Sequence, residues 1–372
     1  MKFNVSSKEL FAQLQAASRV IAAKNSLQIL ECVLFDLKGN QLALTASDGE
    51  TILRTSIPVE AAQGEGKVAV AAKILLETLK EFSEQPLTFY IDDQTFGLNI
   101  TSTNGTYSFV GANGNEYPEM PVETGENSFE IAADVLLDAV NKTIFCTADD
   151  ELRPVMNGIY FDLAEDKITL VATDAHRLVR YSNTTVTSAQ PVNFILPKKP
   201  AGLLRQVLKG SDSVLVNFGS QNATFTSGQT TVVCRQIEGR FPNYNAVIPQ
   251  NNQNKVVVDR QTMVNACKRV AVFANTGTSL IKLALSENQI KISAQDIDFS
   301  TSAEETIACD YMGMPMAIGF KAPFLIEILS SIASQDVVLA LADPARAGLI
   351  LPSENEENQE LLILLMPMLL ND

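Results

Sequence analysis

The chain has 372 residues, 46% hydrophobic and 19% charged, which describes a folded protein of two or three domains and excludes a disordered one. Its net charge of −15 excludes a surface that is basic throughout, so any contact with nucleic acid has to come from segregation of charge. Cys32, Cys146, Cys234, Cys267 and Cys309 are odd in number and scattered without a CxxC pair, which leaves neither a zinc site nor a disulfide framework and fits free thiols in a reducing cytoplasm.

The chain opens on MKFNVSSKEL, which has no apolar core of a signal peptide. KFNVSSKELFAQLQAA (2–17) alternates like a strand and then takes helical spacing, and the pattern returns in SFEIAADVLLDAVNKT (128–143) and VVVDRQTMVNACKRV (256–270). Phe3, Val5, Leu10 and Leu14 meet Phe129, Ile131, Leu136 and Val140 at an offset of 126, and Val256, Val258, Met263 and Cys267 at 253. Ser6-Ser7, Ala133-Asp134 and Asp259 stand where helix entry needs a polar cap, the second most weakly. A second landmark is an alternating strand ending in aspartate: QLALTASD (41–48), KITLVATD (167–174) and QIKISAQD (289–296). A third is another strand and amphipathic helix, each with lysine at the helix entry: 67–82, 192–208 and 317–332. Further strands close each copy, over 87–111, 213–237 and 337–368. The apolar run 361–370 is about half the roughly 20 residues of a membrane span and reads as a buried terminal strand.

Three landmarks in one order, three times over, predict an α+β chain of three repeated domains, each with two helices on one face of antiparallel sheets. Polar, turn-rich stretches at 121–127 and 249–255 place the domains at 1–124, 125–252 and 253–372. The six predicted helical segments (6–20, 71–83, 132–145, 198–209, 258–270 and 320–332) carry a net +6, which leaves −21 on the rest. Basic helices on an acidic body suit a protein that follows a phosphate backbone without reading bases, although lysines on solvent-facing helices give the same count.

ATDAHRL (172–178), GRFPNYNAVIP (239–249) and a terminal MPM (366–368) give the chain a close resemblance to the bacterial DNA polymerase III beta (sliding clamp) family, and the N-terminal MKFNV and the repeat spacing extend it over the whole length. The resemblance implies a DNA sliding clamp: a head-to-tail homodimer closing as a six-domain ring around duplex DNA, a processivity factor without sequence preference, catalysis, cofactor, metal or membrane, in the cytoplasm. It maps the DNA-lining positions onto Lys24, Lys73, Lys198, Lys199 and Lys321. It also implies a pocket for short peptide motifs of the replicative polymerase, the clamp loader and repair proteins. That pocket would use Met156, Thr173, Ala175, His176, Arg177, Leu178, Pro242, Val247, Leu364, Met366, Pro367 and Met368. The chain departs from the family's pattern at Ala246, at Pro154-Val155, and in the tail Leu369-Leu370-Asn371-Asp372. The expected dimer contact sets a strand around Tyr107–Val110 against one around Gln295–Ser302.

Two other readings remain open at this point. The same repeats could form an interaction scaffold that is not a ring. A hydrolase would use His176, the only histidine, with Asp174 as its orienter, but no nucleophile elbow is present. GEGKV (64–68) lacks the spacing of a phosphate-binding loop, and Asp149-Asp150-Glu151 reads as a solvated turn.

Overall fold

The computed structural model describes residues 1–119, 127–188 and 190–370. Six α-helices occur among them: α1 (Ser7–Ala17), α2 (Ala72–Lys80), α3 (Ala133–Thr143), α4 (Lys198–Val207), α5 (Arg260–Ala271) and α6 (Ala322–Ser331). Each follows directly on a strand, as the change of period from 2 to 3.6 predicts. Leu10 and Leu14 of α1, Leu136 and Val140 of α3, and Met263 and Cys267 of α5 are all buried, so the matched positions do the same work. Ser6 caps α1 by accepting from the Glu9 amide (3.4 Å) and Asp259 caps α5 by accepting from Thr262 (2.7 Å). Asp134 instead accepts from the amide of its neighbour Val135, at 2.7 Å. All but α5, which runs one residue further, end a little short of the predicted segments; Arg19, for example, lies in the 3-10 turn Ser18–Val20.

By contact the chain divides into two compact units, one of residues 1–137 and 199–236 and one of 138–198 and 237–372. The first unit holds a five-stranded and a nine-stranded antiparallel sheet, the second an eight-stranded and a four-stranded one. Each repeat is two βαβββ halves that exchange their first strands. Lys2–Ser6 pairs with Pro86–Ile91 of the second half, and Gly66–Ala71 pairs with Cys32–Lys38 of the first. The same exchange joins Asn127–Ala132 to Ser213–Phe218, and Asn254–Asp259 to Asp336–Leu341. The long sheets arise because the repeats are stitched edge to edge. Within the first unit Thr51–Pro58 pairs with Thr230–Arg235, and within the second Arg177–Asn183 pairs with Gln359–Leu365. Of the apolar run 361–370, expected as a buried strand, Leu361–Leu365 is buried in this strand of the eight-stranded sheet, whereas the strand ends there and Met366 and Leu369 beyond it are exposed. The predicted domain boundary at 121–127 lies, apart from Asn127, outside the described residues. The third repeat's first strand begins at Asn254.

The landmark aspartates share one local task. Asp48 accepts from the amides of Glu50 and Thr51 (3.0 and 2.8 Å), Asp174 from His176 and Arg177 (both 3.0 Å), and Asp296 from Asp298 and Phe299 (3.0 and 3.3 Å). Each closes the turn between two strands with its carboxylate. Gly49 follows the first at φ +95°, whereas Ala175 holds φ +72° after the second.

All five cysteines are free. Burial pushes the Cys234 and Cys267 thiols up to about 12 from an ordinary value near 9. The unfolded chain therefore loses these protons first, so their contribution is complete below pH 9 and is lost as pH rises toward 12. The urea midpoint is expected to fall between pH 8 and pH 10.5, and to fall less in a Cys234→Ala/Cys267→Ala variant; an equal fall in both would remove the thiols as the cause.

Candidate functional site

Within the second unit, the hairpin turn Thr173–Arg177 forms one wall of a cavity of about 240 Å³. Thr173 Oγ1 donates to the Arg177 carbonyl (2.8 Å) and accepts from the Ala175 amide (3.2 Å), which fixes the turn that presents Thr173, Ala175, Arg177 and Leu178 to the cavity. Met156 enters from the 3-10 turn Pro154–Met156, and Leu364 and Met366 come from the end of the strand paired with Arg177–Asn183. The remaining wall is the segment after the second repeat: Phe241, Pro242, Asn243, Tyr244 and Val247. Phe241 stacks on Tyr160 with ring centroids 4.8 Å apart, and the Tyr244 hydroxyl donates to Asp162 at 2.8 Å. Burial, with the Asp162 carboxylate beside it, keeps that phenol protonated well above its ordinary range. Beneath lies an apolar cluster that includes Val171, Leu178, Ile195, Ile248 and Leu362. Val247 and Met366 are exposed (58% and 43%), so the cavity opens to solvent between two flexible or branched apolar side chains.

Nine of the twelve residues assigned by resemblance thus line one cavity: Met156, Thr173, Ala175, Arg177, Leu178, Pro242, Val247, Leu364 and Met366. His176, Pro367 and Met368 do not. The His176 carbonyl accepts from the Met366 amide (2.8 Å), and its ring lies 6.1 Å from that of Phe324. The Met368 amide donates to the Gly319 carbonyl (2.8 Å), pinning the tail past Pro367 to the strand Met316–Lys321. Phe241, Asn243 and Tyr244 are lining residues the sequence reading passed over, although all three lie inside the quoted GRFPNYNAVIP. Ala246, in the exposed turn Tyr244–Ala246, is not among the lining residues.

Arg177 reaches the cavity mainly as a brace. Its guanidinium donates to Asp174 Oδ2 (3.0 Å), Glu327 Oε2 (2.8 Å) and the Phe145 carbonyl (2.8 Å), and lies 4.4 Å from the Phe324 ring centroid. With its side chain 7% exposed, little of this donor set is left for a ligand. The Asp174 carboxylate faces Arg177 and two backbone amides rather than the His176 imidazole, so the pair expected of a hydrolase is not assembled. Asp150 accepts from the Leu152 amide and from Arg153, which holds its carboxyl below the usual range and makes 149–151 a turn.

The five lysines differ. Lys24, Lys73 and Lys198 are exposed and make no ion pair among the described residues. Lys321 is partly buried, with its ammonium 4.7 Å from the Phe324 ring centroid. Lys199 is engaged: its ammonium meets the Asp48 carboxylate and lies 3.4 Å from the Val20 carbonyl.

This fold, three repeats of paired βαβββ halves stitched edge to edge, is that of the DNA sliding clamps. Family models for the N-terminal, central and C-terminal domains of the DNA polymerase III beta subunit match residues 1–121, 130–243 and 245–368 in order. The beta sliding clamp of Pseudomonas aeruginosa is 28% identical over 361 residues, spanning 96% of this chain and 98% of its own length. That of Haemophilus influenzae is 27% identical over 372 residues, spanning 99% and 100%. Crystal structures of the clamps of P. aeruginosa and Bartonella birtlesii, each bound to griselimycin, superpose over the full length of both chains with TM-scores of 0.94 and 0.92 at 27% identity. The chain belongs to the DNA polymerase III beta subunit family. Sliding clamps are non-catalytic processivity factors, which removes the hydrolase reading.

If Arg177 is a brace, Arg177→Ala should lower unfolding stability by about 2–4 kcal/mol, because it strands the Asp174 and Glu327 carboxylates and the part-buried Phe145 carbonyl. Arg177→Lys should recover less than half of that, since one ammonium cannot meet three partners. Equal stability of all three proteins in denaturant titrations would refute the role.

Proposed function

We propose that two copies of this chain close head to tail into a six-repeat ring that encloses duplex DNA, and that the apolar cavity tethers partner proteins to it. The observation that carries this reading is a pair of open sheet edges. The two stitches inside the chain pair the end of one repeat's first half with the end of the next repeat's second half: Thr51–Pro58 with Thr230–Arg235, and Arg177–Asn183 with Gln359–Leu365. By the same equivalence Thr301–Ala308 in the third repeat and Thr106–Val110 in the first are a matching pair, and each stands at the edge of its sheet. An unpaired edge leaves a row of backbone donors and acceptors open to another strand. A second copy satisfies both edges by repeating a joint the chain already makes twice, and the two-fold arrangement closes. The expected contact strand shifts accordingly, because Gln295 belongs to the inner strand Gln289–Asp296 while the edge runs from Thr301.

For the bore, Lys24, Lys73 and Lys198 are exposed ammonium groups, Lys321 a shielded one, and Lys199 contributes less because Asp48 holds it. Flexible lysines hold phosphates without reading sequence. The cavity, apolar and rimmed by Val247 and Met366, suits the Leu or Phe anchors of short motifs in the replicative polymerase, the clamp loader and repair proteins, all in the cytoplasm. Among the described residues no helix is long and apolar enough to cross a membrane.

Sedimentation should give twice the 40.4 kDa chain mass, and Tyr107→Asp/Val110→Asp at the open edge should weaken the dimer at least about tenfold. Protein loaded on circular DNA should be lost on linearisation; retention on linear DNA would sink the topological mechanism. A synthetic hydrophobic pentapeptide should bind, and Val247→Asp should weaken it more than about tenfold without lowering stability. Undiminished binding would move the peptide site elsewhere.

A further inference from the structure

In the first two repeats, the segment that leaves the last strand folds back over the sheet of the same repeat's first half. It does so from an equivalent point. Ala112 pairs with Ala69, and the Ile237 amide donates to the Ile195 carbonyl at 3.1 Å. Ala69 and Ile195 are themselves the neighbours of Leu34 and Tyr160, one strand further in. A few residues on, each segment sets an aromatic ring over that inner residue's cluster: Tyr117 packs in the cluster with Leu34, and Phe241 stacks on Tyr160.

The third repeat begins in the same way. The Met368 amide bonds Gly319, whose neighbour one strand further in is Lys282, the counterpart of Leu34 and Tyr160. Lys282 is left exposed, with Leu370 of the tail beside it. The row across the sheet is Gly319, Lys282, Ser293 and Glu304, where the second repeat has Ile195, Tyr160, Val171 and Arg180 and the first has Ala69, Leu34, Thr45 and Arg54, so the position next to the edge is lysine only in the third repeat. A cleft of about 780 Å³ lies over Lys282, Ser293 and Glu304, and a second of about 520 Å³ adjoins it at Lys282 and Leu370. Lys282 is exposed and has no ion pair or hydrogen bond among the described residues, whereas Glu304 is paired with Lys291.

We propose that this groove is a second protein-docking site, which takes an extended peptide segment of a partner laid where the 112–117 and 237–244 segments lie on their own repeats, with a carboxylate side chain on Lys282. The internal precedent fixes the occupant's form. An extended chain crosses the sheet in both covered repeats, starting at the edge residue equivalent to Gly319. The lysine in place of Leu34 and Tyr160 sets the charge at this end of the groove, while Asp298 and Glu304 line its other end, so the carboxylate of the occupant belongs at Lys282. An apolar face left open would invite unspecific association, while a row of glycine, serine and an unpaired ammonium stays solvated until a complementary segment arrives and then supplies a charge-assisted contact. The site is distinct from the apolar cavity: the two have no lining residue in common, and the cavity has no free cation.

A phage-displayed random decapeptide library tests this on the full chain. Peptides selected on the wild type in the presence of excess hydrophobic pentapeptide should be enriched in Asp or Glu. Measured by fluorescence polarisation, their affinity should drop at least tenfold with Lys282→Glu and with Ser293→Trp, which fills the groove, and should be unchanged with Val247→Asp. Both groove substitutions are on a solvent-facing row, and retained binding of the hydrophobic pentapeptide reports that each variant is folded. Selected peptides indifferent to Lys282 and Ser293 would overturn the proposal. So would peptides that depend on Lys282 only after residues 369–372 are removed, because the chain's own tail would then be the occupant. One wall of the larger cleft, Ser302 to Glu304, is on the edge strand of the proposed dimer, whereas Lys282 and Ser293 lie on the two strands inside it, so their substitution reads the groove and Tyr107→Asp/Val110→Asp reads the dimer.

Discussion

A β-strand at the edge of a sheet exposes backbone N–H and C=O groups that only water or another strand can satisfy. Most of this molecule follows from how it treats those edges. Each half-repeat sends its first strand into the other half's sheet, and the last strand of one repeat pairs with the last first-half strand of its neighbour. The helices then need only an apolar stripe on one side, which Leu10/Leu14, Leu75/Leu79 and Leu325/Leu329 provide, and their other face is left to lysine and other polar residues. The proposed dimer would use two of the remaining edge strands, Thr106–Val110 and Thr301–Ala308.

The cavity is a by-product of one such stitch. Where Arg177–Asn183 meets Gln359–Leu365, the turn before one strand and the tail after the other come together, and the chain between repeats closes over them. Arg177 holds that junction by tying its own turn to α6 through Glu327 and to the carbonyl of Phe145. A residue that sequence motifs present as a ligand is thereby mostly consumed by support. The rest of the cavity wall is apolar or aromatic, with Val247, Met366, Phe241 and Tyr244 among its lining residues.

Periodicity and the constant offsets made the repeats and their helices legible, because strand and helix spacing are local properties of the chain. The three aspartates were legible as landmarks. Their carboxylates as turn closers were not, because that role depends on amides positioned by a hairpin. Strand exchange was invisible for a related reason: Lys2–Ser6 carries no mark saying that it pairs with 86–91 rather than with 32–38. Within the cavity, nine residues were legible from motifs, whereas the dispositions of His176 and Met368 depend on bonds to Met366 and Gly319 that no spacing encodes. The engagement of Lys199 by Asp48 was likewise hidden, since the partners lie in different repeats.

Strand exchange also has a consequence for synthesis. As the chain leaves the ribosome, Lys2–Ser6 can pair with Glu60–Gln63 but lacks its second neighbour until 86–91 has emerged, and Thr51–Pro58 lacks its own until 230–235. Non-local pairing of this kind slows folding and leaves adhesive strands uncovered in the meantime. The nascent first repeat therefore carries open strand edges, and slowing translation beyond residue 60 should prolong their exposure.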